Sequence, residues 1–304
     1  MAVTSGIKTV KVTINGQAYT LTKNTSTGKY EATITAPALS SYNNNDGHYY
    51  PVKIDAEDQA GNTVSADDTH ATLGASLKLK VKEKVAPTVT KLTPSSGSYL
   101  ATSAPVISAE LRDNDSGVDI STLIFKIDGT AVENSKITKN SATGGYNISY
   151  TPQTALTDGQ HTVSIQVSDN DGNQCTAATT TFTVMTTAPT LEITAPTDGL
   201  KTNKSALTVT GTTNKDATVT IKLNGTDQGA VTVSAAGAFS KALTLTTEGE
   251  NTITVVAKNL AGVTTTVERK VIYDITAPVI SGITIAPNPV DAGQTYVISV
   301  EIDD

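Results

Sequence analysis

The sequence predicts an all-β chain of tandem Greek-key β-sandwiches, the first of them incomplete. Three observations carry that reading: a composition suited to strands, a recurring Ala-Pro linker, and a recurring Asn-Gly or Asp-Gly turn inside each period. Charged residues make up only 17% of the chain and hydrophobic residues 38%. Threonine, serine and asparagine fill the remainder, which favours pleated over helical backbone. No segment keeps a helical period over a useful length. At 304 residues the chain exceeds the usual domain of roughly 100 to 150 residues two- to threefold, so several modules are expected.

The linker recurs as Ala86-Pro87-Thr88-Val89, Ala188-Pro189-Thr190-Leu191 and Ala277-Pro278-Val279-Ile280. It divides the chain into 1–85, 86–187, 188–276 and a closing segment 277–304. Within each period an alternating apolar run enters a two-residue turn: Val10 to Ile14 before Asn15-Gly16, Leu123 to Ile127 before Asp128-Gly129, and Val219 to Leu223 before Asn224-Gly225. Asn-Gly and Asp-Gly accept the positive φ angles of a type I′ hairpin, so each reads as strand, turn, strand. A second period-2 run follows in each unit: Val52, Ile54, Ala56; Val163, Ile165, Val167; Ile253, Val255, Ala257. Each leads to a Gly corner at Gly61, Gly172 or Gly262 and then to a last strand over 77–81, 181–184 or 267–272.

Short strands with frequent turns, in units of roughly 100 residues, describe sandwiches of immunoglobulin type. The sequence resembles the tandem bacterial immunoglobulin-like domains of surface adhesins and phage tail appendages. The matching pieces are the Ala-Pro linkers, Asp115-Ser116-Gly117-Val118-Asp119, Ile127-Asp128-Gly129, and Gly159 to Val163 running through Asp169 to Gly172-Asn173. The antibody hallmarks are absent, since the chain has no Trp and a single cysteine, Cys175. The resemblance implies the fold; the fold carries many roles.

The unit 86–187 has its first two strands before Ser116-Gly117-Val118, whereas Ser5-Gly6-Ile7, their counterpart, stands within a few residues of Met1. The first domain is therefore expected to lack strands A and B. The segment 277–304 supplies the complement: Val297-Ile298-Ser299-Val300-Glu301-Ile302-Asp303-Asp304 aligns residue for residue with Val106 to Asp113. Two strands alone do not fold, and a sandwich without them exposes an edge and half a core. The expectation is donor-strand complementation between copies. Ile298, Val300 and Ile302 of one chain would lie beside Val10, Val12, Ile14, Tyr30, Ala32 and Ile34 of another, and a head-to-tail contact that does not close makes a filament. Two alternatives stay open: a fragment of a longer array, and completion by a different protein.

Two candidate sites accompany this. Asp113, Asp115 and Asp119, with Asp169 and Asp171, fall in two loops at the same end of the second sandwich. Their oxygens suit calcium at a domain junction, against a plainer role in capping turns. Tyr42, Tyr49 and Tyr50 sit among amides in one loop, which suits a glycan, against an ordered surface loop. Both calcium and a cell-surface glycan therefore stand as candidate ligands.

Other classes are excluded. A net charge of -7 lacks the basic face that a nucleic acid requires. No stretch approaches the roughly 18 apolar residues of a membrane span, and Met1 to Val12 has no signal-peptide core. Release by lysis, as a virion appendage, or by an unusual export route is the corresponding expectation. No nucleophile elbow, phosphate loop or metalloprotease motif accompanies His48, His70 or His161, so no enzyme is expected.

Overall fold

The computed structural model describes residues 5–304. It is all-β apart from short 3₁₀ turns such as Gly74–Leu77. The chain forms two compact units, the first containing the first two domains, the second containing the third domain and the closing segment.

In the first domain, β1 (Ile7–Ile14), β2 (Gln17–Thr20), β3 (Thr22–Lys23), β4 (Tyr30–Glu31), β5 (Tyr50–Asp58), β6 (Thr63–Ala66) and β7 (Lys78–Leu79) follow in order. One sheet runs β2-β1-β5-β6, with β7 on the end of β5. The other layer is only the two-residue ladder β3-β4, Thr22 opposite Glu31 and Lys23 opposite Tyr30. The strand expected through Tyr30, Ala32 and Ile34 thus stops at Glu31. The alternation is present, but among the described residues β3 is the only strand that pairs with β4, and backbone without a ladder partner does not hold strand geometry. The last strand expected over 77–81 is likewise reduced to Lys78–Leu79, following the 3₁₀ turn.

The second domain has two multi-stranded sheets. Its strands are β8 (Thr88–Thr93), β9 (Ser98–Leu100), β10 (Ile107–Arg112), β11 (Val118–Ile127), β12 (Thr130–Ala131), β13 (Thr138–Ala142), β14 (Gly145–Tyr150), β15 (Gly159–Asp169) and β16 (Ala178–Val184). One sheet is ordered β13-β14-β10-β8, and β12-β11-β15-β16 run side by side in the other. Ile107, Leu111, Phe125, Ile148, Val163, Ile165 and Val167 are 0–2% exposed. The period-2 alternation of β10 and β15 has become a dry core.

The third domain repeats the plan with β17 (Leu191–Ala195), β18 (Leu200–Thr202), β19 (Ala206–Thr213), β20 (Thr218–Leu223), β21 (Thr226–Asp227), β22 (Ala238–Thr244), β23 (Gly249–Lys258) and β24 (Thr264–Tyr273). Val209, Ile221, Ile253, Val255 and Val271 are fully buried at its centre. The three predicted turns have the expected positive φ pairs: 49° and 74° at Asn15-Gly16, 49° and 78° at Asp128-Gly129, 51° and 82° at Asn224-Gly225.

The closing segment is a hairpin of its own, β25 (Val279–Ala286) and β26 (Val297–Asp303), forming a two-stranded sheet.

Candidate functional site

The hairpin and the first domain both leave apolar side chains exposed. In β25-β26, Val279 lies opposite Asp303 and Ile280 opposite Ile302, with an irregularity after Ile280. In the second domain, Thr88 lies opposite Arg112 and Val89 opposite Leu111, again with an irregularity in the ladder. The hairpin thus repeats the register of the β8-β10 pair. Its apolar residues have nothing over them: Ile298 is 54% exposed, Val300 48% and Ile302 60%, whereas Ile107, Ala109 and Leu111 at the matching positions are 0%, 3% and 0% exposed. Val279, Ile280, Ile283 and Val297 are each more than 60% exposed as well.

The first domain shows the converse. Val12 and Tyr50 are its only fully buried hydrophobic side chains among the described residues. Val10, Ile14, Tyr30 and Ile34 are half-buried, Ala32 is exposed, and Ile14, Tyr19, Ala32, Ile34 and Leu79 line a concave face of about 500 Å³. Ladder pairs fix the correspondence. Ile14 opposite Val52 and Val12 opposite Ile54 repeat Ile127 opposite Val163 and Phe125 opposite Ile165. Val52, Ile54 and Ala56 are only half-buried, whereas Val163, Ile165 and Val167 are sealed.

The acidic loops are more selective than the sequence expectation. Of the five aspartates, Asp113 and Asp169 converge, and Glu83 from the linker joins them, with carboxylate oxygens all within 4.8 Å of one another. The other three are occupied elsewhere. Asp115 accepts the Ser40 N–H on both oxygens at 3.0 Å. Asp119 caps Ser121, and Asp171 accepts the Glu83 N–H at 3.0 Å. The turn-capping role is also real: Asp113 accepts the N–H groups of Asp115 and Gly117, and Asp169 those of Asn173. Glu83 was not legible as part of the set, because the signal in the sequence, a carboxylate three residues before the Ala-Pro linker, is a single position. An oxygen-only group of this kind suits a hard divalent cation.

The tyrosine loop does not form an open aromatic platform. Tyr50 is buried, and its OH donates to Leu39 O at 3.2 Å. Tyr49 OH donates to Asp68 at 2.7 Å, which raises the phenol above its ordinary range, and Lys78 lies over its ring. Tyr42 stacks on His48 with ring centroids 4.0 Å apart.

One buried histidine with an exposed carboxylate partner was missed. His161, 6% exposed, directs Nδ1 at Asp128 Oδ2 (2.7 Å) and Nε2 at Thr157 O (2.8 Å). Both ring nitrogens face acceptors, so the geometry calls for the imidazolium. Burial opposes that charge, but the bonds to Thr157 and Asp128 outweigh it and raise His161 above its usual range. Burial likewise works against the Asp128 carboxylate, yet His161 and the Thr162 N–H hold it below the usual range.

Known proteins agree with this architecture. Residues 102–186 match the family described as bacterial Ig-like domain, and residues 189–275 match that described as glucodextranase, domain B. The chain is a tandem array of immunoglobulin-like domains. Bacillopeptidase F of Bacillus subtilis is 34% identical over 128 residues, 42% of this chain and 9% of the relative, so the chain spans a small part of that protein's length. Among solved structures, the fibronectin(III)-like modules of Clostridium thermocellum CbhA share 20% identity with a TM-score of 0.39, covering 62% of this chain and 94% of theirs. An I-band fragment of titin shares 14% identity with a TM-score of 0.39, covering 89% of each chain. Ig-like domains of this kind are typically structural or adhesive modules rather than catalysts. Among the described residues no helix is long and apolar enough to cross a membrane.

Proposed function

We propose that this array of Ig-like domains is an extracellular structural protein that assembles head to tail, as a surface filament or virion appendage. The hairpin Val279–Asp303 of one copy would supply the A and B strands of another copy's first domain. The observation that carries this is the exposure contrast between Ile298, Val300, Ile302 and their sealed counterparts Ile107, Ala109, Leu111.

The second domain supplies the register. There Ile107 pairs with Tyr150, Ala109 with Ile148 and Leu111 with Tyr146. Gly28-Lys29-Tyr30 corresponds to Gly144-Gly145-Tyr146, so Ile302 would pair with Tyr30, Val300 with Ala32 and Ile298 with Ile34. The pair Arg112–Gly145 becomes Asp303–Lys29, two opposite charges. Docking would also continue β4 through Ile34 by giving it the ladder partner that β10 gives β14. Main-chain pairing would contribute geometry, and burial of each apolar side chain about 1.5 to 3 kcal/mol before ordering costs.

Cysteine trapping tests the arrangement. The outward-facing pair Ser108–Ser149 maps to Ser299 and Thr33. With both Ser299→Cys and Thr33→Cys in one chain, mild oxidation should yield a ladder of covalent multimers longer than dimers, while each single variant stops at dimers. Failure of the double variant to pass the dimer stage would count against the register, and a protein that remains monomeric throughout would count against assembly itself.

A further inference from the structure

We propose that Glu83, Asp113 and Asp169 bind one divalent cation of the calcium class and that this ion ties the linker to the second Ig-like domain. Three carboxylate oxygens lie within 4.8 Å of one another. That is about twice the calcium–oxygen distance of roughly 2.4 Å, the widest separation that ligands on one calcium can have. Asp113 and Asp169 are 7% and 2% exposed. No Lys, Arg or His forms an ion pair with any of the three among the described residues. N–H donors from Asp115, Gly117, Asn173 and Ser116 offset part of the cost of burying these carboxylates, and a bound cation would supply the positive charge they lack.

A second observation points the same way. Ser116 donates its N–H to Glu83 Oε1 at 3.0 Å, and the Oγ of that same residue is buried without a hydrogen-bond partner. The residue whose N–H already binds Glu83 thus carries a buried oxygen with no partner of its own, a spare oxygen donor. Three carboxylates and a hydroxyl are hard donors with no nitrogen or sulfur among them, which selects calcium over zinc.

The third domain shows what the linker does without an ion. There Asn259 donates its Nδ2 to Thr187 O at 3.0 Å, and Asn214 accepts from Thr190, so neutral amides tie the linker directly. The second domain has Asp169 at the position of Asn259 and Glu83 in its linker. It keeps one amide tie to the linker, Asn173 Nδ2 to Glu83 O at 3.2 Å, and adds a charged set that the third domain lacks, which makes this one linker responsive to cation.

Calorimetric titration of calcium chloride into the chelator-treated 304-residue chain, paired with thermal melting in calcium and in chelator, tests the site. The expected result is binding of one equivalent at this site and a melting transition of the second domain that rises in calcium. Glu83→Gln keeps an acceptor for the Ser116 N–H while removing a ligand charge, and should weaken binding about tenfold or more with an unchanged melt in chelator. Asp119→Asn, outside the set, should bind as the parent does. No binding heat together with identical melts in calcium and chelator, or a Glu83→Gln protein that binds as tightly as the parent, would overturn the proposal.

Discussion

At the scale of single residues, His161 makes a pH-dependent contribution with a definite sign. Its folded value is raised, so the stability it adds is full below its unfolded value of about 6.5 and disappears as pH rises through the higher folded value. Asp128 is lowered, so its share is present above the unfolded value of about 3.9 and is lost as pH falls through the folded one. The second domain should therefore melt highest on the mildly acidic side of neutral and lose stability toward pH 8. A His161→Phe protein should lose that alkaline decline and be less stable by about 1 to 3 kcal/mol at pH 6, because Asp128 and Thr157 O lose a partner. A parent protein whose melting temperature does not change between pH 6 and pH 8 would contradict the imidazolium assignment. His161 occupies the position that Asn251 takes in the third domain, each next to a residue whose N–H binds the Asx of the hairpin turn. Asn251 is fully buried, donates to Thr247 O and Gly249 O, and accepts from Asn224. What the sequence could not display was the acceptor at each end of the ring, since Thr157 O is a backbone group that any residue could supply.

At the scale of elements, matching positions in β10 and β26 have different consequences. Leu111→Ala removes a sealed core residue and should cost about 2 to 5 kcal/mol in the second domain. Ile302→Ala at the matching position removes a side chain that is 60% exposed in one chain, and should leave the melts of the second and third domains unchanged while weakening association. Chemical denaturation and a dilution series separate the two effects. Strands with both a period-2 pattern and an Asx-Gly turn were legible because pattern and turn chemistry fix the same register. The run through Tyr30, Ala32 and Ile34 has the pattern, but among the described residues only β3 pairs with it, and it stops after two residues. The acidic junction was half legible for a related reason: five aspartates lie in the right loops, but which of them converge depends on how the linker returns Glu83 and its neighbours. The Glu83 N–H claims Asp171, and Ser40 claims Asp115, leaving Asp113 and Asp169 to meet Glu83.

At the scale of the whole molecule, the second and third domains each bury a core of their own, while the first domain and the hairpin β25-β26 leave apolar side chains exposed. The open face of the first domain and the exposed face of the hairpin each carry apolar positions that the second domain buries. A charged residue placed in the middle of the donor strand, Val300→Asp, should abolish association while the chain keeps its strand content by circular dichroism, since Val300 is 48% exposed within one copy. The most direct measurement is light scattering coupled to size-exclusion chromatography across a concentration series, on the full chain and on one shortened by residues 277–304. The full chain should shift to multimers of increasing mass as concentration rises, and the shortened chain should not. A full chain that stays monomeric at every concentration, or a shortened chain that assembles equally well, would contradict assembly by strand complementation.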